Sequence, residues 1–372
     1  MVWRFLSLYL VIVNGLWAAS NEALMGHLRS RMVKQQKGTL IKSYSHHTQS
    51  YVYDQALAII AFSKNGHLKE ARSLLQGLEK LQLKDGSLYF SYNLDGSSIY
   101  PEEGDKRFAG AIAWVAIASS TYQKESKSSE FKKFNIKVLN YLQSQMKKVK
   151  GEDYKGIVFA PSNIVETQWN ENETVALEHN IDAFSAFRNF DVVNKTAHYN
   201  SERLHLEKLI DNLWDKRRKH FWSGVNSSTG VINKQEYYLD NQTWTLLALD
   251  ESHLKKYDFE KALAQNCKTL FIKDQDMIGF LDSKPTRRPA SHKFIWSEGS
   301  AGQILAMQRS KSSSCKNYDL KIGLNTLNKM KRPDGGIAYA TENKNPDFSS
   351  DSSIAGTTWF YFAKNNFNPF AL

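Results

Sequence analysis

The 372-residue chain is poor in the residue types that mark several protein classes. Its two cysteines exclude a disulfide-rich scaffold and a zinc or iron–sulfur site built from several cysteines. Seven prolines and 20 glycines are too few for an all-β chain full of tight turns. The sequence also lacks a Gly-rich phosphate loop, a His-Glu-x-x-His motif and a Gly-x-Ser-x-Gly motif. We therefore expect no metal and no cofactor.

Acidic residues are in the minority, since 38 Asp and Glu stand against 49 Lys and Arg, a net charge of +11. Such a surface attracts anions, including nucleic acid and acidic polymers. The basic runs at 147–150 and 215–219 lie at turns between predicted helices and form no continuous stripe. We expect no nucleic-acid partner, and an acidic glycan stays open as a ligand.

The N-terminus has the pattern of an export signal. A short basic start is followed by an apolar run from Phe5 to Ala18 and by small residues at 18–20. The run is short for a membrane span, which needs about 20 residues, although an uncleaved anchor is the alternative. We predict a signal peptide over 1–20 and a periplasmic or secreted mature chain without a membrane span. Cys267 and Cys315 could pair in such a compartment, or stay as two free thiols.

One short pattern recurs six times after the signal. A polar or small cluster is followed by an Ala-rich apolar run with helical spacing, and these runs are apolar nearly all round, which is typical of buried helices. Reference positions in the six copies are 57, 114, 184, 244, 302 and 359.

Amphipathic helices with charged outer faces are predicted between the copies. Two of them are followed by similar Asp-Gly turns, at 84–90 and 333–339. The first helix, Glu22 to Lys37, and the last, Ser352 to Lys364, lack such neighbours, so we expect them to pair and close a ring. This predicts one monomeric domain over 21–372. The outer helices are predicted at His67–Leu83, Phe131–Lys148, Ser201–Trp214, Phe259–Phe271 and Asn317–Met330.

Six inner and six outer helices joined by Asp-Gly turns resemble the six-hairpin glycosidase-like (α/α)6 barrels. The resemblance covers the whole mature chain and implies an all-α toroid of six helical hairpins. It also implies a carbohydrate-active enzyme, most often an inverting glycoside hydrolase. Terpenoid cyclases and prenyltransferase subunits have similar toroids, but the chain has no Asp-x-Asp-Asp run and an export signal fits neither group.

Acidic residues collect where the inner helices begin, at the end that the six helices share. Helix N-termini favour carboxylates, so each acid is either a cap or a residue facing the shared opening. Glycoside hydrolysis needs two carboxyl groups across a cleft. We predict Glu178 and Glu298 as candidates for the acid, Asp54 and Asp182 for the water-activating base, and Asp240 as a reserve.

Sugar-binding candidates lie beside these acids. Tyr53, Trp244 and Trp296 offer flat faces on which sugar rings stack, and His179 and Asn180 complete the polar cluster at 178–182. A further candidate is Arg107, which can hold the carboxylate or sulfate of an acidic glycan. Packing inside the barrel is the alternative role for Trp114, Trp244 and Trp359, which occupy equivalent repeat positions.

Two alternatives to an exported glycoside hydrolase stay open. A polysaccharide lyase would use His179, Asn180, Arg107 and Tyr53 to neutralise a uronate and remove its proton. A non-catalytic glycan-binding or assembly protein is the other alternative, because the second copy has Gly110 and neighbouring Ala where the others carry polar groups.

Overall fold

The computed structural model describes residues 21–36, 38–97, 99, 106–161, 165–166, 169–170, 172–284, 293–311, 315–342 and 348–372. The predicted signal peptide at 1–20 lies outside the described residues. Helices dominate the described part of the chain, and its strands are only two to four residues long. The predicted all-α toroid is confirmed.

Six helices form an inner ring in which each packs against the next, and the last packs against the first. They coincide with the six predicted copies. Their middle turns are buried on every side, as the all-round apolar pattern predicts. The inner helices are α2 (Val52–Lys64), α4 (Ala109–Ser126), α6 (Leu177–Asn194), α8 (Leu239–Ala248), α11 (Ser297–Ser310) and α13 (Ile354–Lys364).

Amphipathic helices pack outside this ring, each against the inner helix that precedes it in sequence. The predicted outer helices are found, with ends up to a few residues shorter; for example, residues 146–148 form a strand rather than the end of a helix. The outer helices are α3 (Leu68–Leu81), α5 (Lys132–Ser144), α7 (Asn200–Leu213), α10 (Phe259–Thr269) and α12 (Leu320–Lys329), and a short α9 (Glu251–Leu254) precedes α10.

Helix α1, residues 21–30, lies beside the end of α13 and closes the ring. Asn21 donates from Nδ2 to Asn365 Oδ1 at 2.8 Å, and Lys364 donates to Asn21. The predicted pairing of the first and last helices is therefore present, although α1 ends before residue 32, where a strand begins.

Short antiparallel strands lie between the helices, and among the described residues they form two-stranded sheets and one three-stranded sheet. The strands are β1 (Met32–Gln35), β2 (Gly38–Ile41), β3 (Gln49–Tyr51), β4 (Ser91–Asn93), β5 (Met146–Lys148), β6 (Lys155–Ile157), β7 (Val165–Glu166), β8 (Trp169–Asn170), β9 (Thr174–Ala176), β10 (Trp214–Asp215), β11 (His220–Phe221), β12 (Gly224–Asn226), β13 (Ile232–Asn233), β14 (Phe271–Asp274), β15 (Met277–Phe280), β16 (Ile337–Ala338) and β17 (Ser352–Ser353).

The fourth residue of five inner helices binds the backbone of a preceding strand. Asn180 shows the pattern most fully: its Oδ1 accepts from Ile157 N at 2.7 Å, and its Nδ2 donates to Ile157 O at 3.0 Å. Buried backbone groups need such partners, so in five of the six copies one polar side chain ties a strand to the inner helix. The equivalent residues are Gln55, Gln242, Ser300 and Thr357.

The C-terminal segment fills the far end of the ring. Phe370 is fully buried, and its ring lies 4.8 Å from that of Trp114 and 5.7 Å from that of Trp244. Arg188 and Asn189, near the end of α6, donate to the Phe370 carbonyl. Phe370 therefore closes the barrel at the C-terminal ends of its inner helices.

Cys267 and Cys315 form a disulfide between α10 and the segment before α12, with Cα atoms 5.7 Å apart. The pairing is the first of the two alternatives that the sequence left open. Among the described helices, none combines the length and apolarity that crossing a membrane requires.

Candidate active site

A cavity of about 300 Å³ opens at the N-terminal ends of the inner helices. Its wall is built from the second residue of five of them, because this position points toward the barrel axis at the first turn. These residues are Tyr53, Gly110, Glu178, Asp240 and Glu298. The predicted shared opening therefore exists, and it carries three carboxyl groups on its rim.

The sixth residue of an inner helix lies one turn further along the same face. Trp114 and Trp244 occupy this position and form the floor, and Trp359, the sixth residue of α13, meets them on the axis without lining the cavity. The Trp244 and Trp359 rings are parallel with centroids 5.4 Å apart, and Trp114 lies about 6 Å from both. Gly302 takes the position in α11, and a Cβ atom there would already be 3.4 Å from Trp244 Nε1.

In α6 the sixth residue is Asp182, not the expected reference residue Phe184. Phe184 instead faces outward, where its ring contacts His253 and Arg188. The predicted alignment of α6 with the other inner helices is wrong by two residues, because a carboxyl group stands where three other copies carry tryptophan. Asp182 is thereby placed at the bottom of the cavity, 1% exposed.

The acids at this end are not helix caps. The residues that precede α2, α6, α8 and α11 are Tyr51, Ala176, Tyr238 and Trp296, and none of them makes a side-chain capping hydrogen bond. Glu178, Asp240 and Glu298 are the second residues of their helices and lie in the first turn, where the helix dipole favours a negative charge.

Burial raises the pKa of every carboxyl group in the cavity. The pKa of Glu178 rises to about 7, chiefly through desolvation and then through repulsion from Glu298. The pKa of Glu298 rises to about 8 for the same first reason, with Asp54 and Asp240 adding repulsion. Asp182 and Asp240 have pKa values well above the ordinary range, through desolvation and then the nearby Glu178. The group therefore retains protons at neutral pH.

Glu298 is fixed by two tyrosines. Trp359 Nε1 donates to Tyr53 Oη at 2.8 Å, so the Tyr53 hydroxyl proton is directed to Glu298 Oε1. Tyr339 also hydrogen-bonds to Glu298. These contacts hold one buried carboxyl group, 2% exposed, in a single orientation.

His179 lies against the backbone of α4. Its ring stacks on Phe159 with centroids 4.1 Å apart, and desolvation lowers its pKa to about 4, so the imidazole is neutral. A Cβ atom on Gly110 would lie 2.4 Å from His179 Cδ2 and 3.0 Å from Asp182 Oδ2. The second copy therefore has glycine in place of an acid because the His179 and Asp182 side chains occupy the space that a side chain at position 110 would need.

Eight predicted site residues line the cavity and three do not. Asp54 is buried behind it and hydrogen-bonds to Ser43 and to the Ala355 backbone, with its pKa raised to about 7 by burial. Asn180 binds the β6 backbone, as described above. Arg107 donates from Nη1 to Asp85 Oδ2 at 2.8 Å, away from the cavity lining. The eight that line it are Tyr53, Glu178, His179, Asp182, Asp240, Trp244, Trp296 and Glu298.

Aromatic residues from the connecting loops complete the wall, and they were not among the predicted site residues. Phe90 and Tyr339 each end one of the two Asp-Gly turns found in the sequence, so the turn itself was a signal for them. Phe108 and Phe159 have no comparable marker. Among the described residues, the lining contains no Lys or Arg, and no group of His, Cys, Asp and Glu could hold a metal ion.

The cavity thus combines several carboxyl groups with aromatic walls. It can hold an uncharged, partly apolar ring, donate a proton from one carboxyl group and accept one at another.

No family model and no curated protein sequence matches the chain. Its structure is similar to that of a sugar epimerase from a ruminal bacterium, with a TM-score of 0.69 and 10% identity, covering 92% of this chain and 96% of that one. It is also similar to the cellobiose 2-epimerase of Bacillus thermoamylovorans, with a TM-score of 0.68 and 11% identity, over 94% and 100% of the two chains. A family 76 α-mannanase of Bacteroides thetaiotaomicron matches with a TM-score of 0.62 and 12% identity, over 93% and 95%.

The fold is that of the six-hairpin (α/α)6 barrels. This confirms the resemblance inferred from the helix repeat. At about 10% identity the similarity establishes the architecture, and the chemistry has to be argued from the cavity itself.

Proposed function

We propose that the protein is an inverting glycoside hydrolase that acts on an uncharged glycan in the carboxyl-rich cavity. The observation that carries the proposal is the pair Glu178 and Glu298, which face one aromatic-walled cavity with pKa values raised to about 7 and about 8. Two carboxyl groups that titrate near neutrality are what proton donation to a leaving oxygen and activation of water require.

Glu298 is the proton donor in this proposal. It is the more deeply buried of the two and keeps its proton to the higher pH. Tyr53 donates to Oε1, so this oxygen acts as an acceptor while the other oxygen carries the acidic proton. That proton passes to the glycosidic oxygen as the bond to the anomeric carbon breaks.

Glu178 is the base in this proposal. It is partly exposed where Glu298 is not, so a water molecule can reach it. Glu178 removes a proton from this water as the oxygen attacks the anomeric carbon from the opposite face. Desolvation, and then repulsion from Glu298, raises the pKa of Glu178 to about 7, so that it can accept a proton near neutral pH.

The cavity favours an uncharged sugar over a uronate. A lyase needs a cationic or amide group to neutralise the uronate, yet the described lining offers only carboxyl, hydroxyl, imidazole and indole groups. Arg107 and Asn180, which a lyase would use, are engaged elsewhere. The cost of burying four carboxyl groups in one cavity also argues against a purely binding role.

We also propose that the mature chain is exported and acts as a monomer. The pattern at residues 1–20 motivates export, and the Cys267–Cys315 disulfide supports it, because such bonds persist in oxidising compartments.

A panel of neutral and anionic polysaccharides tests the proposed activity. Wild-type protein should release reducing ends from a neutral glycan without absorbance at about 232 nm, the sign of an unsaturated lyase product. Glu298→Gln should lose activity on natural substrates but keep activity on aryl glycosides whose leaving group needs no proton. Glu178→Gln should lose activity on both kinds of substrate. An ultraviolet band, or equal activity in the two variants and wild type, would overturn the proposal.

A sugar epimerase is the second candidate function. His179, neutral and stacked against Phe159, is suited to removing a proton next to a sugar carbonyl. Proteins of this fold include a cellobiose 2-epimerase. An epimerase in D2O would exchange the sugar C2 proton without releasing new reducing ends, and His179→Asn would abolish that exchange.

A further inference from the structure

A second cavity of about 300 Å³ lies outside the carboxyl-rich one and shares no lining residue with it. Its floor is aromatic and buried. The His220 ring lies 4.3 Å from that of Trp222 and 5.2 Å from that of Tyr237. All three side chains are at least nine-tenths buried.

Basic side chains form the rim of this cavity. Arg218 belongs to the basic run at 215–219 and lies over Trp222, with its guanidinium carbon 5.3 Å from the ring centroid. Lys234 and Lys284 are exposed, and neither makes an ion pair with any described residue. The only carboxyl group among the described lining residues is Glu236, which accepts from Asn233 Nδ2 at 2.9 Å. Arg218 is ion-paired with Asp215, Nη1 to Oδ2 at 3.2 Å, so the cations of the rim that have no ion pair among the described residues are Lys234 and Lys284.

The base of the cavity contains an unsatisfied polar atom. Nε2 of His220 is shielded from solvent and has no hydrogen-bond partner among the described residues. A buried polar atom without a partner is costly unless a ligand supplies one. An oxygen of a bound anion can accept a hydrogen bond from an imidazole nitrogen.

The two cavities flank the same stretch of chain. Tyr237 lines the basic cavity and Asp240 lines the carboxyl-rich one. Consecutive Cα atoms are about 3.8 Å apart, so the Cα atoms of these two residues are at most about 11 Å apart. That is on the scale of a few sugar units in one oligosaccharide.

We propose that the basic cavity is a binding subsite for a saccharide unit that carries an oxyanion group, a carboxylate or a sulfate. Lys234, Lys284 and Arg218 bind the anionic group, and the aromatic floor contacts the ring. The chain then combines an uncharged sugar at the carboxyl-rich cavity with an anionic substituent at the second one. This inference deepens the proposed function, but binding at the basic cavity does not require hydrolysis.

Calorimetric titration tests the subsite. All measurements use the Glu298→Gln background, so that the saccharide probes are not hydrolysed during the titration. The probes are a uronate tetrasaccharide, its fully methyl-esterified form and inorganic sulfate. A Lys234→Gln/Lys284→Gln variant is compared with Lys133→Gln/Lys137→Gln, which removes the same charge from exposed positions on α5.

The uronate should bind at least tenfold more tightly than its ester, and this preference should weaken with salt. The Lys234/Lys284 variant should lose about tenfold in affinity for the uronate, and the α5 control less than twofold. Equal losses in the two variants, or equal binding of ester and uronate, would overturn the subsite. Inorganic sulfate that binds as tightly as the saccharide would overturn the claim that the ligand is a glycan.

Discussion

The two ends of the barrel carry ionisable groups of opposite type, basic at one end and acidic at the other, and the two sets differ in their hydrogen-bond partners. At the C-terminal ends of the inner helices, Arg188 donates to the Ala248 and Phe370 carbonyls. Arg309 donates to the Leu247 and Leu249 carbonyls at 3.0 and 2.6 Å. Phe370 then fills the space between the helices. At the N-terminal ends, four carboxyl groups repel one another around an open cavity.

The helix dipole favours both arrangements, since it attracts acids to N-termini and bases to C-termini. The two ends differ in whether their polar groups have hydrogen-bond partners. Arg188 and Arg309 are half-buried and each has two carbonyl acceptors, whereas Asp182 Oδ1 has no hydrogen-bond partner among the described residues. The satisfied end is expected to contribute stability, and the unsatisfied end to bind and react.

The largest expected effect is on catalysis at the carboxyl-rich end. Glu298→Gln should lower kcat on a neutral glycan by about 10³-fold, because general acid catalysis contributes on the order of 10²–10⁴-fold. The matched control is Glu260→Gln on the exposed face of α10. Reducing-end release measures both. A loss in the control as large as that in Glu298→Gln would contradict the assignment.

The next effect is on stability at the closed end. Phe370→Ala should lower the free energy of unfolding by about 3–5 kcal/mol, because it leaves a cavity beside Trp114, Trp244 and Trp359. Urea denaturation measures the loss. Activity at a temperature where the variant remains folded should stay within about twofold of wild type. A collapse of kcat in the folded variant would mean that the two ends are not separate.

Stability should also depend on pH through the open end. The pKa of Glu298 rises from its ordinary 4.5 to about 8, so the folded protein holds a proton that the unfolded chain releases. As far as Glu298 is concerned, the folded state is therefore most stable below about pH 4.5, and its stability falls as the pH rises from there to about 8. The shift corresponds to on the order of 5 kcal/mol.

Glu298→Gln should remove that part of the pH dependence. Denaturation of both proteins between pH 5 and pH 8 should show that the free energy of unfolding of the variant increases relative to that of wild type as the pH rises. A constant difference across this range would contradict a raised pKa at Glu298.

A smaller effect is expected at the gap in the second copy. Gly110→Ala should cost about 1–3 kcal/mol, because its Cβ atom would overlap His179 Cδ2. It should also reduce activity by displacing His179 and Asp182. Gly26→Ala in α1 is the control: nothing lies within 4 Å of the added Cβ atom, so a helix-stabilising change is expected. Denaturation and kinetics compare the two, and equal stabilities would contradict close packing at Gly110.

Much of the fold followed from the sequence, because six all-round apolar helices can be satisfied only by mutual burial. The ring, its closure by the first and last helices, and the collection of acids at one end were all readable. The register of α6 was not, since Asp182 breaks the apolar pattern that the alignment relied on. Asn180 was assigned to the cavity because a polar residue on a buried helix gives no sign of which way it faces.

The burial of Phe370 between the inner helices and the hydrogen bonds from tyrosines to Glu298 could not be predicted either. Both join residues that are far apart in the chain: Tyr53 and Glu298 are separated by 245 positions. Periodicity reports only local geometry, so it identifies the helices that supply these side chains without identifying which ones meet.

Proton NMR of a neutral oligosaccharide incubated with the protein in D2O distinguishes inverting hydrolysis from epimerisation and from elimination. We expect a new anomeric signal of inverted configuration, formed first and followed by mutarotation, and absent with Glu178→Gln. Deuterium exchange at C2 without a new reducing end, or a vinylic signal from an unsaturated product, would contradict it.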